Sequence, residues 1–325
     1  MIMDNIHEPH DDTPPQYNTP FERPTMSPFA VLALCIGIFV VGNIIASGIM
    51  YGWAKTHGLD FNEVMKGLSE NTPIGTRNFM RGVLLINHIC SFIVPALATA
   101  WIVYKSEWLN YFKLKKLPTI GTIGIALAWL IVSMPLVQYA YQLNKMLPLP
   151  EWMMQAESST EGLLEAIIAK ENFYEIIVNV ILIAVIPGIG EEMMFRGIVQ
   201  KQIGRFLQNE HVQVWVAAGI FSAIHMQFQG FFARMILGAL LGYMYVWTRN
   251  LWVPIIIHFL NNGVQVVGLY AMNIKPSEMD KVGNMDKIPW YITLLMAIAS
   301  LGMTLFLGRM VEERHRETET IIAEV

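Results

Sequence analysis

Charged residues are scarce in this chain. They make up 15% of its 325 residues, whereas hydrophobic residues make up 54% and the mean hydropathy is +0.42. A soluble domain usually contains about 25% charged residues. Long apolar runs account for the shortage, and each is near the ~20 residues that a helix needs to cross about 30 Å of hydrocarbon. This composition excludes an ordinary soluble domain and predicts a chain that spans a membrane.

Cysteines and common metal motifs are also scarce. The two cysteines, Cys35 and Cys90, both lie in apolar runs and form no C-x-x-C pair, so neither a thiolate zinc site nor a disulfide framework is indicated. No H-E-x-x-H motif is present. The net charge of −4 is spread thinly, which gives no basic surface for a nucleic acid.

The first 28 residues lack the basic start and the small-residue cleavage site of a signal peptide. They are polar, acidic and rich in proline, and we predict that residues 1–28 form a disordered tail. The rest of the chain is divided into N-terminal membrane helices (29–172), a membrane core that carries the chemistry (173–272), and a last helix with a charged tail (273–325).

The apolar runs predict an all-α polytopic membrane bundle of about eight transmembrane helices, with the bilayer as its partner. The predicted spans are residues 29–51, 80–104, 119–139, 174–207, 212–227, 231–248, 251–270 and 290–307. Between the third and fourth spans, residues 142–172 would face outside, and residues 158–172 are typical of an amphipathic helix. That helix is interpreted either as a surface helix lying along the membrane or as a substrate gate.

Lysine and arginine in short loops indicate the orientation. Four basic segments, after the second, fourth, sixth and eighth spans, fall on one side of the membrane. Their basic residues are Lys105, Lys113, Lys115, Lys116, Lys201, Arg205, Arg249, Arg309, Arg314 and Arg316. The loops after the first and seventh spans, on the opposite side, are basic too, so only a majority of the basic segments supports this orientation. This majority predicts a multi-pass protein of a bacterial plasma membrane with both termini in the cytoplasm.

Two adjacent glutamates lie in an apolar segment of the second half, PGIGEEMMFRG. Placing an ionisable side chain at membrane depth costs free energy, so its presence there indicates a function. Glu192 and Arg196 are four residues apart and share a helix face in the favourable acid-before-base order, whereas Glu191 points about 100° away. We therefore predict that Arg196 neutralises Glu192. Glu191 is then left free as a general base, unless it lies in water at a helix end without a function.

Histidines follow on two later spans, each with a partner at helical spacing. Phe221 and His225 are four residues apart in the fifth span, and His258 and Asn262 are four residues apart in the seventh. His88, in the second span, is interpreted as a hydrogen-bonded core histidine. Three polar pairs on three nearby helices predict a shared site.

The predicted depths of these residues agree only in part. The midpoint between Glu191 and His225 falls at Gln208, in a polar turn, so two helices that fold back there bring both residues to one height. His258 lies about nine residues nearer the cytoplasm, or ~13 Å for straight helices. Helix irregularity around Pro254 could absorb part of this difference.

The three motifs, in this order, resemble those of the CPBP (Abi) family of intramembrane proteases. This family includes the CAAX prenyl proteases of the Rce1 type and bacterial relatives involved in bacteriocin processing and immunity. The resemblance covers about residues 174–270, a third of the chain, and the helices before it match only in being hydrophobic. No motif position departs from the pattern.

The resemblance implies an intramembrane endopeptidase that acts on a hydrophobic or lipid-anchored peptide. Glu191 and His225 would activate water, and His258 and Asn262 would bind the oxyanion of the tetrahedral intermediate. A further set of residues, Glu192, Arg196 and Phe221, would support the site.

Three alternatives stay open from the sequence. Glu191, His225 and His258 could bind Zn²⁺ with a position left for water, although water activated by glutamate, without a cofactor, is preferred. The site could be non-catalytic and bind a peptide, as in an immunity protein. Paired membrane charges also serve transporters, but no internal repeat is evident.

Overall fold

The computed structural model describes residues 26–69, 71–168, 173–275 and 289–323, and within these ranges the regular structure is entirely helical. Almost all of the predicted N-terminal tail lies outside the described residues. The predicted fold class, an all-α polytopic membrane bundle, is confirmed.

Ten helical elements make up the described part of the chain. They are α1 (Pro28–Thr56), α2 (Phe61–Lys66), α3 (Ile74–Phe112), α4 (Ile120–Lys145), α5 (Glu151–Ile168), α6 (Phe173–Leu207), α7 (Glu210–Ile224), α8 (Phe231–Thr248), α9 (Trp252–Met272) and α10 (Trp290–Ala323). Two of them are not uniform: α3 contains a π turn and a 3₁₀ turn, and α6 contains two π segments.

Seven of the described helices are long and apolar enough to cross a membrane: α1, α3, α4, α6, α8, α9 and the part of α10 at Trp290–Arg309. The sequence predicted about eight, and the difference is α7. It has 15 residues, or about 22 Å of helix at 1.5 Å per residue, which is shorter than the ~30 Å hydrocarbon layer. The predicted fifth span therefore exists as a helix but is not a full-length crossing by itself.

Helix α6 is at the centre of the bundle and packs against α3, α7 and α9. Its π segments lie at Ile181–Val185 and Met193–Gln200. A π turn bonds residue i to residue i+5, which changes the winding of the helix, and such turns are frequent at functional sites. The residues at 193–200 are all buried, so the second π segment lies in the interior of the bundle.

The amphipathic helix predicted at residues 158–172 is observed as α5, which begins earlier, at Glu151, and ends at Ile168. Residues 169–172 lie outside the described residues. The end of α5 is buried against the bundle, because Arg81 of α3 donates a 2.8 Å hydrogen bond to the carbonyl of Ile167. Arg81 also contacts Glu175 at 2.8 Å. These bonds fix the last turn of α5 to α3 and α6.

Candidate active site

Glu191 lies where three histidines converge. Its Oε1 is 3.0 Å from Nε2 of His88, and its Oε2 is 3.7 Å from Nε2 of His225 and 3.8 Å from Nε2 of His258. These residues come from α3, α6, the end of α7 and α9. The Glu191 side chain is 4% exposed. The structure thus brings Glu191, His225 and His258 together, as the sequence predicted.

The prediction that Glu191 is left without a partner was wrong, because His88 is within hydrogen-bond distance. The alternative, in which Glu191 lies in water at a helix end, is excluded, because the side chain is buried in the middle of α6. His88 was interpreted as an ordinary core histidine, and its contact with Glu191 was missed. The available signal was an imidazole within an apolar membrane helix, which is a costly placement.

Glu192 has two donors on one oxygen. Nη1 of Arg196 lies 2.6 Å from Glu192 Oε1, and Nδ1 of His258 lies 2.8 Å from the same oxygen. Arg196 also donates to the carbonyl of Gly238 at 2.7 Å and lies 4.8 Å from the ring centre of Phe221. The contact with Arg196 was predicted from the spacing. The contact with His258 was not predicted, since the two residues are on different helices.

The hydrogen bonds of His225 and His258 indicate where their protons lie. Nδ1 of His225 is 2.7 Å from the carbonyl of Phe221, and Nδ1 of His258 is 2.8 Å from Glu192. Carbonyl and carboxylate oxygens only accept hydrogen bonds, so each Nδ1 carries a hydrogen. In a neutral ring the opposite nitrogen, Nε2, then has a lone pair. Both Nε2 atoms face Glu191 Oε2.

His225 is the residue that caps the C-terminal end of α7, and it is also the first residue of the loop at 225–230. The next residue, Met226, has a φ of 54°, and this left-handed conformation ends the helix. The ring of Phe221 lies 4.8 Å from that of His225 and 6.1 Å from that of His258. Phe221 therefore packs between the two histidines and Arg196.

Asn262 lies one helical turn after His258 on α9. Its Oδ1 accepts from Nδ2 of Asn261 at 3.1 Å, and its amide nitrogen donates to the backbone. Nδ2 of Asn262 donates to the carbonyl of Ile183 at 3.2 Å. Ile183 lies within the first π segment of α6, where backbone carbonyls leave the regular α-helical pattern. The second hydrogen of the Asn262 amide is available for another acceptor.

No group of three or more His, Cys, Asp or Glu side chains within the described ranges is arranged to hold a metal ion. The zinc site considered from the sequence would use Glu191, His225 and His258.

The central part of the chain is similar in sequence to a known protein family. Residues 173–264 match the family described as type II CAAX prenyl endopeptidase Rce1-like. This segment is therefore similar to the CPBP-family proteases. It contains Glu191, Glu192, His225, His258 and Asn262, whereas His88 lies before it.

Two curated relatives are each similar to about a third of the chain. An uncharacterised protein of Bacillus subtilis, YpbD, is 32% identical over 37% of this chain and 59% of its own length. The membrane-embedded CAAX protease MroQ of Staphylococcus aureus is 29% identical over 35% of this chain and 45% of its own length. The chain thus spans about half the length of these relatives. No solved structure matches it significantly.

Proposed function

We propose that this chain is an intramembrane endopeptidase, which hydrolyses a peptide bond of a membrane-associated or hydrophobic peptide by water that Glu191 and His225 activate. The observation that carries the proposal is the position of Glu191 Oε2, which is 3.7 Å from His225 Nε2 and 3.8 Å from His258 Nε2. These separations are too long for direct hydrogen bonds. They leave room for a water molecule at about 2.8 Å from both the carboxylate and a histidine.

In the proposed reaction, Glu191 Oε2 takes one proton from this water. Nε2 of His225 accepts a hydrogen bond from the O–H that remains on the attacking oxygen. The water oxygen bonds to the carbonyl carbon of the substrate, and the π electrons of the carbonyl move to its oxygen. When the tetrahedral intermediate collapses, the C–N bond breaks and the proton on Glu191 passes to the leaving amine. The products are a carboxylic acid and an amine, and Glu191 is a carboxylate again.

The developing oxyanion would accept hydrogen bonds from His258 and from the second amide hydrogen of Asn262. Because Nδ1 of His258 already donates to Glu192, donation through Nε2 requires a ring with both protons. Glu192 would then orient His258 through this bond, and Arg196 would hold Glu192 in place from the same oxygen.

A hydrophobic substrate is proposed because the site lies among membrane-spanning helices. An apolar groove of about 480 Å³ lies between the first turns of α6 and the last turns of α9, with none of the site residues in its lining. It is lined by Phe173, Ile176, Ile177, Val180, Ile181, Val267, Tyr270 and Ala271. An apolar peptide segment or lipid anchor would bind there without unsatisfied polar groups. The name of the MroQ relative supports proteolysis, and a prenylated substrate is one member of the proposed class.

The test is cleavage of internally quenched peptides by the purified protein in detergent, with and without a prenylated C-terminal Cys-aliphatic-aliphatic-X sequence. Glu191→Gln and His225→Ala should abolish cleavage of any peptide that the parent cleaves. His258→Ala and Asn262→Ala should lower the rate by roughly 10²–10³, the cost of one oxyanion donor. His57→Ala, at an exposed position beyond the end of α1, is the matched control and should cleave like the parent.

Metal content is measured on the same preparations. Stoichiometric zinc that is lost in His225→Ala, with activity that a chelator removes and zinc restores, would replace glutamate-activated water by a metalloprotease mechanism. Full activity of Glu191→Gln would refute the proposed site. Tight peptide binding without cleavage by the parent would favour a peptide-binding protein instead.

A further inference from the structure

His88 is the one histidine in direct contact with Glu191 that lies outside the matched segment 173–264, within the described residues. Its Nε2 is 3.0 Å from Oε1 of Glu191. The other carboxylate oxygen, Oε2, faces His225 and His258. The two oxygens of Glu191 are therefore in different surroundings, one hydrogen-bonded to α3 and one directed at the proposed water.

We propose that His88 is a positioning residue of the peptidase site: its Nε2–H binds one oxygen of Glu191 and thereby keeps the other oxygen directed at the attacking water. This inference rests on the proposed function. It assigns to the N-terminal helices, which precede the matched domain, a part of the active site.

The direction of the hydrogen bond follows from the two ring nitrogens of His88. The Glu191 carboxylate can only accept, so the hydrogen lies on Nε2 of His88. The other nitrogen, Nδ1, is buried and has no hydrogen-bond partner among the described residues. A hydrogen on Nδ1 would be a buried, unsatisfied donor, whereas a lone pair there costs less. His88 is thus a donor to Glu191 in its neutral form.

The backbone packing of α3 against α6 holds His88 in this place. The residue directly precedes the π turn Ile89–Ile93, and its ring lies 5.1 Å from that of Phe92. On α6, a Cβ added to Gly190 would come within 2.8 Å of the Ile93 side chain and 3.3 Å of Phe92 Cβ. A glycine next to Glu191 therefore allows the close helix approach that brings His88 to the carboxylate.

The consequence for catalysis lies in the orientation of the Glu191 carboxylate. Without the donor from His88, Oε1 would be a buried carboxylate oxygen with no partner, which is unfavourable. The side chain would then rotate toward another donor and withdraw Oε2 from the water. Substrate binding does not need this oxygen, so the loss should appear in kcat and leave KM nearly unchanged.

Four variants, measured for cleavage of the peptide that the parent cleaves best, test this role. His88→Leu and His88→Asn should lower kcat by roughly 10- to 100-fold, as is typical when a hydrogen-bond partner that orients an active group is lost. His88→Gln should recover most of kcat, because its amide reaches the position of the imidazole Nε2, whereas the amide of Asn is one methylene too short. Cys90→Ala, in the π turn that directly follows His88, is the control, and its kcat should match that of the parent. Thermal unfolding of each variant is followed in the same detergent.

The comparison of Gln with Asn decides the matter even if His88→Leu fails to fold, because both amides are polar and similar in shape. Equal kcat values for His88→Gln and His88→Asn, or a parental kcat in His88→Leu, would overturn the role of His88. Glu191→Gln is measured in parallel to separate this result from a failure of the peptidase proposal. An inactive Glu191→Gln beside a fully active His88→Leu refutes only the role of His88, whereas a fully active Glu191→Gln refutes the site as a whole.

Discussion

Glu192 is the residue on which the buried charges of the site depend. One of its oxygens accepts from Arg196 and His258, and the other, Oε2, is buried without a hydrogen-bond partner among the described residues. Breaking a buried ion pair by removing one partner leaves an uncompensated charge and usually costs 3–5 kcal/mol, whereas removing both partners is much milder.

Glu192→Gln and Arg196→Met should therefore each lower the free energy of unfolding by about 3 kcal/mol. The double variant should lose clearly less than the sum of the two. Urea unfolding in detergent measures the three values, with Glu210→Gln at an exposed position as a control that should stay within about 0.5 kcal/mol of the parent. Additive losses in the double variant would show that the pair does not act as a unit.

At the scale of elements, the loop at residues 225–230 is held by a helix that lies far from it in sequence. Asn144, at the end of α4 and 3% exposed, donates through Nδ2 to the carbonyl of Phe228 at 2.9 Å. Its Oδ1 accepts from the backbone nitrogen of Phe232 at 3.0 Å. One amide thus satisfies both ends of the turn that follows His225, and α4 contributes to the position of that histidine.

Asn144→Ala should loosen this loop, because it removes the shared partner of a part-buried carbonyl and a part-buried N–H, and each hydrogen bond contributes about 0.5–1.5 kcal/mol. We expect faster hydrogen exchange at the Phe232 amide and a lower kcat, with the rest of α8 unchanged. Mass-spectrometric hydrogen exchange on the detergent-solubilised protein measures the first effect. Leu143→Ala, an exposed neighbour on the same turn, is the matched control. Unchanged exchange at Phe232 in Asn144→Ala would contradict the bridging role.

For the whole molecule, the short helix α7 decides the parity of the membrane crossings. Helix α7 packs against α8, and the loop between them has six residues, 225–230, which allows only a tight reversal. If α8 crosses the membrane, α7 has to return the chain to the opposite side, although it is only about 22 Å long. Eight passages then follow from seven full-length spans and one short helix.

The prediction that both termini are cytoplasmic is tested by reporter fusions. Fusions after Val325 and near Pro14 should both report the cytoplasm, since an even number of passages separates them. Reporters inserted at Gln208 and at Leu149 serve as references and should report the cytoplasm and the outside, respectively. Opposite locations of the two termini would show that α7 does not carry the chain across.

The sequence by itself determined what depends on local spacing and on composition. Apolar runs located the membrane helices, because transfer of a segment into hydrocarbon depends on its own residues. The four-residue spacing placed Arg196 beside Glu192, and the π segment that begins at Met193 did not disrupt this contact. The motif residues Glu191, His225 and His258 were also found, although their catalytic roles stay predictions.

Only the tertiary structure decided which helices meet and at what height. His88 contacts Glu191 across 103 positions of sequence, and no periodicity within a helix states which neighbour it faces. Counting along straight helices displaced His258 by ~13 Å, yet its Nε2 lies 3.8 Å from Glu191. The count assumed straight helices whose connecting turns lie at one depth, which tertiary packing does not require. The acceptor of Asn262, the carbonyl of Ile183 in a π segment of α6, likewise depends on how α6 packs against α9, which the local sequence does not state.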